Sequence, residues 1–194
     1  MSISGQGGNT VTLPTPPVYV PEIYIFEEQY AHGLVPTTAS GQPPVGGALN
    51  TRNINTQVFP INGGSGNVTL GGSFLTFKPG TYLIDASAPA IFTSRHQLFL
   101  RRSDNDAIHL TGTCEQTAIN GANVSNGTGV DHNRSFIKGI MIVPPGNDRV
   151  VKLDHYLDNA FLGTTPLGIE FSQTATFWNT IKEVYATITI QKIQ

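Results

Sequence analysis

The chain has 194 residues, of which only 12% are charged, and its net charge is −2. Eleven basic against thirteen acidic residues leave no strong positive field for a nucleic-acid backbone or an anionic membrane. A single cysteine, Cys114, excludes an internal disulfide framework and a multi-cysteine zinc site. Thr, Ile and Val number 52 and Gly with Pro 34, a mixture typical of short strands joined by tight turns. The composition therefore predicts an all-β protein.

Residues 1–48 are predicted to form an extended N-terminal arm ahead of a compact domain that begins near Leu49. The arm contains Pro14, Pro16 and Pro17, which fix φ and remove backbone donors. Solvated tails rarely hold as many aromatic and β-branched residues as VYVPEIYIF (18–26), which includes one short strand-like run, so we expect the arm to pack on its own domain or on another subunit. The predicted anchoring residues are Tyr19, Ile23, Tyr24 and Phe26.

From Leu49 to the C-terminus, strand-like runs alternate with turn signals. About eight core strands in residues 49–194 match the count of a two-sheet jelly roll. In the run 80–92, alternate residues from Tyr82 to Ala88 share one face. The strand-like runs are 53–61, 68–70, 74–77, 80–92, 95–102, 107–113, 135–143, 149–157, 167–171 and 182–193.

Two of these runs carry large apolar or aromatic residues on both faces, although the outer face of an antiparallel sandwich is ordinarily wet. The run 135–143 is apolar at nearly every position, and the run 182–193 places Tyr185 opposite its aliphatic face. We therefore expect another subunit or the arm to cover the outer face; coverage by the chain's own loops is the alternative. The predicted trimer-interface residues are Phe136, Ile140, Ile142 and Tyr185.

Motifs for catalysis, cofactors and metals are missing from the sequence. Cys114 has histidines within reach, but a lone cysteine is more often a small packed residue than a nucleophile. The five histidines lack metal-binding spacing. Asp104 and Asp106 could offer oxygens to Ca²⁺, yet such residues are also common in ordinary turns. The sequence thus predicts no enzyme, cofactor or metal, and the candidate sugar-binding loop is the one with Phe177 and Trp178.

Five segments in order carry a resemblance to a known group of proteins. They resemble bacteriophage virion proteins with a tumour-necrosis-factor-like, complement globular-head-like jelly roll. The segments are LNTRNINT (49–56), FLTFKPGTYLIDASAPA (74–90), SRHQLFLRR (94–102), SFIKGIMIV (135–143) and EVYATITIQKI (183–193).

The resemblance implies a homotrimeric jelly roll on the virion surface, assembled in the host cytoplasm and attached to capsid or tail proteins by its arm. We expect neither nucleic-acid binding nor membrane insertion. The chain lacks the repeats of a fibre shaft, which favours a capsid decoration or a short head or tail fibre. The alternative is a tail-fibre module that binds a host surface glycan.

Overall fold

The computed structural model describes residues 20–31, 34, 37–61, 66–90, 93, 95–116, 133–158 and 182–193. Within these ranges the regular structure is entirely β-strand, as the composition predicts. The eleven strands of the described ranges are β1 (Glu22–Ala31), β2 (Ala48–Thr51), β3 (Thr56–Ile61), β4 (Val68–Gly71), β5 (Phe74–Phe77), β6 (Gly80–Ala90), β7 (Arg95–Arg102), β8 (Ile108–Gln116), β9 (Asn133–Val143), β10 (Arg149–Leu157) and β11 (Lys182–Lys192).

The strands form two antiparallel sheets. The five-stranded sheet has the order β3-β1-β11-β6-β9. The six-stranded sheet has the order β4-β5-β10-β7-β8, and β2 also pairs with β10. Apart from the consecutive pairs β4–β5 and β7–β8, neighbouring strands come from distant parts of the sequence, as in a sandwich whose strands cross between layers.

The core lies between the sheets and is built from alternate residues of each strand. On β6, Tyr82, Ile84 and Ala86 are at most 1% exposed, so the predicted inner face of this strand is confirmed. From the opposite sheet, Leu98 and Leu100 of β7 point into the same core. Period-two burial of this kind fixes the register, because a slip of one residue would turn the apolar side chains outward.

The first strand belongs to this sandwich. β1 pairs with β11 on one side and with β3 on the other, and its first residue, Glu22, lies opposite Lys192, the last residue of β11. Tyr24 and Phe26 are buried in the shared core, with exposures of 1% and 0%. The folded domain in this structure therefore starts at β1, ahead of the predicted boundary near Leu49.

A β-bulge interrupts the last strand at Tyr185. Glu28 of β1 lies opposite Ala186, but the next residue, Gln29, lies opposite Val184, so Tyr185 is the extra residue. The bulge reverses the faces of β11 on its N-terminal side: Tyr185 is 5% exposed and Val184 is 43% exposed. The sequence alternation predicted the opposite orientation for these two residues, which is corrected here.

Candidate functional site

The outer side of β9 exposes large apolar side chains. Phe136, Ile140 and Ile142 are 50%, 57% and 68% exposed, whereas the alternate residues Ile137 and Met141 are buried. The prediction that this strand is apolar on both faces is therefore confirmed. A solvated outer face would ordinarily carry polar residues, so this exposure needs an explanation.

Strand register extends the apolar surface across the sheet. Ile140 lies opposite Leu83 of β6, and Leu83 lies opposite Gln191 of β11. Gln191 in turn lies opposite Ile23 of β1, so this row places three aliphatic residues on one side of four strands. We define the outer apolar face as Ile23, Ile25, Leu83, Phe136, Ile140 and Ile142.

The outer apolar face contains three of the four predicted trimer-interface residues. Tyr185 does not join Phe136, Ile140 and Ile142, because the bulge turns its ring inward. The ring packs edge-on against Tyr30 with centroids 5.8 Å apart, and its hydroxyl donates to the Glu183 carboxylate. Tyr185 therefore stabilises its own subunit and offers little surface to another.

The predicted anchoring residues fall into three environments. Ile23 lies on the outer apolar face, half-buried. Tyr24 and Phe26 form part of the core, with parallel rings 6.3 Å apart, so neither is available to contact a shell subunit. Tyr19 lies outside the described residues, as do both residues of the candidate sugar-binding loop, Phe177 and Trp178.

The outer face of the six-stranded sheet is organised differently, around a buried carboxylate. Asp154 is 1% exposed and accepts hydrogen bonds from the Thr51 hydroxyl at 2.6 Å and from Nη1 of Arg101 at 2.7 Å. Lys152 reaches Asp106 at 2.8 Å, and Nη2 of Arg101 lies 3.2 Å from the same carboxylate. We call these five residues the charged network, since its cations and carboxylates neutralise one another.

The charged network includes Asp106, one of the two carboxylates of the candidate calcium-binding turn. The Lys152 ammonium, followed by Arg101, lowers the pKa of Asp106, and a hydrogen bond from Arg102 lowers the pKa of Asp104. Both carboxylates are thus held by cationic side chains of their own chain. Across the residues that the structure describes, no group of three or more His, Cys, Asp or Glu side chains could hold a metal ion.

A row of buried polar side chains crosses one end of the sandwich between the sheets. Glu28 of β1 and Arg52, which follows β2, form an ion pair with both side chains fully buried. Burial raises the pKa of Glu28, and the guanidinium of Arg52 offsets part of that effect. Next to Arg52, His155 of β10 and His96 of β7 are both 0% exposed.

The two histidines are joined ring to ring. Nδ1 of His96 lies 2.9 Å from Nε2 of His155, and Nε2 of His96 lies 2.6 Å from Oδ1 of Asn133, the first residue of β9. Burial lowers the pKa of both imidazoles, most strongly that of His155, where Arg52 adds to the effect. Sequence spacing did not reveal this pair, although His96 falls on the inner face together with Leu98 and Leu100.

The remaining surface features offer little chemistry. Cys114 is exposed on β8. A shallow open groove of about 460 Å³ lies beside Phe74 and Leu49 on the six-stranded sheet. Within the described ranges, no helix has the length and hydropathy needed to cross a membrane.

Comparison with solved structures identifies the fold. Murine APRIL matches with a TM-score of 0.51 at 9% identity, over 90% of this chain and 100% of that one. The globular domain of zebrafish complement 1qA matches with a TM-score of 0.47 at 14% identity, over 88% and 97% of the two chains. Eiger TNF from S. frugiperda matches with a TM-score of 0.43 at 12% identity, over 89% and 92%.

At such low identities the likeness shows the fold alone, and the match to murine APRIL is the one that carries it. The chain has the TNF-like jelly roll that the sequence predicts. No protein-family model and no curated protein matches the chain.

Proposed function

We propose that this chain is a non-enzymatic structural module that assembles with two further copies of itself through the outer apolar face. The carrying observation is the exposure of Phe136, Ile140 and Ile142 on the outer side of β9. Fully burying one such side chain is worth about 1.5–3 kcal/mol, so three of them supply a substantial part of an interface.

The distribution of the exposed residues favours a ring. Within the outer apolar face, the most exposed residues lie on β9, at one edge of the five-stranded sheet, whereas Ile23 and Ile25 lie towards the other edge. A contact between the β9 side of one copy and the β1 side of the next is heterologous, and such contacts form a ring when the rotation from copy to copy closes. Three is the copy number that the sequence resemblance implies.

The location that we propose is the surface of a bacteriophage particle, as a capsid decoration or a short head or tail fibre. This part of the proposal is supported by the ordered sequence resemblance. Attachment would fall to the residues ahead of β1, since Tyr24 and Phe26 are committed to the core. The alternative role of a glycan-binding adsorption module depends on loops outside the described residues.

Light scattering on the purified chain tests the self-association. We expect a mass three times the 20.8 kDa of one chain. The variant Ile140→Lys should reduce this mass to that of a monomer, because it places a charge in the buried centre of the contact. Ile108 is 56% exposed on the six-stranded sheet, so Ile108→Lys is the matched control and should remain trimeric.

A monomeric wild-type chain, or an Ile140→Lys variant that remains trimeric, would overturn the proposed interface. The virion location is tested separately by mass spectrometry of particles purified from the source culture. We expect peptides of this chain in a fixed ratio to the major shell protein. Their absence would remove the virion role and leave the self-association intact.

A further inference from the structure

The buried histidine pair admits one arrangement of protons. Nδ2 of Asn133 donates to the carbonyl of Gln116 at 2.9 Å, so the side-chain oxygen of Asn133 faces His96 and accepts from its Nε2–H. In a neutral His96, Nδ1 is therefore bare. It must accept from His155, which fixes the proton of His155 on Nε2.

This arrangement leaves one lone pair without a hydrogen-bond donor on a fully buried ring. Nδ1 of His155 has no hydrogen-bond partner within the described ranges, and solvent does not reach it. An added proton would go to this atom. The resulting imidazolium would lie buried beside the Arg52 guanidinium, whose carboxylate partner, Glu28, already forms the ion pair described above.

We propose that the His96–His155 pair is an acid-sensitive switch: the end of the sandwich where β7, β9 and β10 meet stays closed only while both rings are neutral. Protonation of His155 on Nδ1 leaves its Nε2–H donating to His96, but it places a positive charge in a buried site beside Arg52. Exposing the ring to water relieves this charge and loosens the contact between His96 and Asn133. The switch belongs to the folded subunit and does not depend on the proposed trimer or its location.

The charges near the histidine pair have opposing effects on its response to acid. Arg52 disfavours the added proton, while Glu115 of β8 favours it on His96. Glu28 opposes the switch, because its raised pKa makes acid favour the folded state. Arg134 of β9, half-buried, carries a further positive charge close to Arg52.

The direction of the pH dependence follows from the histidines. Because both have a lowered pKa in the folded state, their stabilising contribution is complete above the unfolded pKa of about 6.5 and is lost as the pH falls below it. Each proton taken up on opening raises the unfolding equilibrium constant about tenfold per pH unit in that window. One proton thus gives about a 15-fold increase between pH 6.5 and pH 5.

The test compares urea unfolding of the full chain and of His155→Gln from pH 8 to pH 5, at one fixed chain concentration. Glutamine keeps a donor towards His96 but does not titrate. At each pH, the wild-type unfolding constant is divided by that of His155→Gln, which cancels the contribution of Glu28. We expect this ratio to rise at least about tenfold as the pH falls below 6.5. His109→Gln is the control: burial also lowers the pKa of this partly buried histidine at the start of β8, so the variant should remove a smaller part of the pH dependence than His155→Gln does.

A ratio that does not change with pH would overturn the switch. Should His155→Gln fail to fold, nitrogen-15 NMR of the wild-type imidazoles decides the matter. We expect both rings in the Nε2–H form at pH 7.5, with no imidazolium signal from His155 while the native spectrum persists at pH 5.5. A His155 that titrates near pH 6.5 in the intact fold would refute the proposal.

Discussion

The outer faces of the two sheets differ in how their side chains are partnered. On the six-stranded sheet, Asp154, Arg101 and Lys152 lie within one network in which each charge has an opposite neighbour. On the five-stranded sheet, Phe136 and Ile140 project from β9 with half or more of their surface in solvent. Both faces belong to strands that share one core, so the core does not cause the difference.

The contrast shows which face of the domain can still gain free energy by binding a partner. A charge that is already neutralised within its chain gains little from a partner, because the partner must first displace the existing contacts. A partly exposed aliphatic side chain gains transfer free energy in proportion to the area that another surface covers. We therefore expect the five-stranded sheet to gain more free energy from association than the six-stranded sheet.

The largest expected effect comes from breaking the charged network. Asp154→Asn removes the charge that Arg101 and Lys152 surround, and leaves those cations without their buried counter-ion. We expect the free energy of unfolding to fall by about 2–3 kcal/mol, somewhat below the loss for a fully buried pair because Arg101 is 13% exposed. Urea unfolding measures the loss, and the assembly mass should not change.

A matched control is Asp148→Asn, since Asp148 pairs with Lys78 at 2.8 Å but both side chains are 40% or more exposed. We expect Asp148→Asn to change the free energy of unfolding by less than about 0.5 kcal/mol. Equal losses at Asp154 and Asp148 would contradict the view that the network stabilises the chain itself.

The second effect is smaller and appears in association instead of folding. Ile142→Ser truncates a side chain that is 68% exposed in the subunit, so subunit stability should change little. Association should weaken by about 1.5 kcal/mol per contact, or roughly tenfold in the dissociation constant. Sedimentation equilibrium measures it, and Ile108→Ser on the other sheet should leave the constant unchanged.

The smallest effect concerns salt. The outer apolar face itself has no charged residue, and the neighbouring Asp85 and Lys138 lie opposite each other, so screening should hardly affect assembly. We expect the dissociation constant to change less than about threefold between 0.05 and 0.5 M NaCl. A steep weakening with salt would mean that charge pairs, not the apolar face, hold the subunits together.

Much of this fold can be predicted from the sequence because burial repeats every second residue. The predicted runs 95–102 and 149–157 coincide with β7 and β10, and the inner faces of β6 and β7 follow from alternation. The apolar outer side of β9 is visible in the same way. These features depend on neighbours within one strand, which a sequence displays directly.

Other features require the strand order, and the sequence does not display it. His96 and His155 are 59 residues apart and meet because β7 pairs with β10. Glu28 and Arg52 meet across the two sheets. The bulge at Tyr185 is set by pairing with β1, and one extra residue suffices to reverse the expected faces of Val184 and Tyr185. The prediction of an anchoring Tyr24 and Phe26 differs from the structure for the same reason, because their partners lie on distant strands.

The pairing of Glu22 with Lys192 has a consequence for engineering. The start of β1 and the end of β11 are neighbours in one sheet, so proteins fused at either end would leave the sandwich at the same corner. A short linker from residue 192 to residue 22 could therefore close the backbone into a circle. New ends could then be opened in the exposed turn at Ser103–Asn105, between β7 and β8, to carry a fused cargo on a different side of the domain.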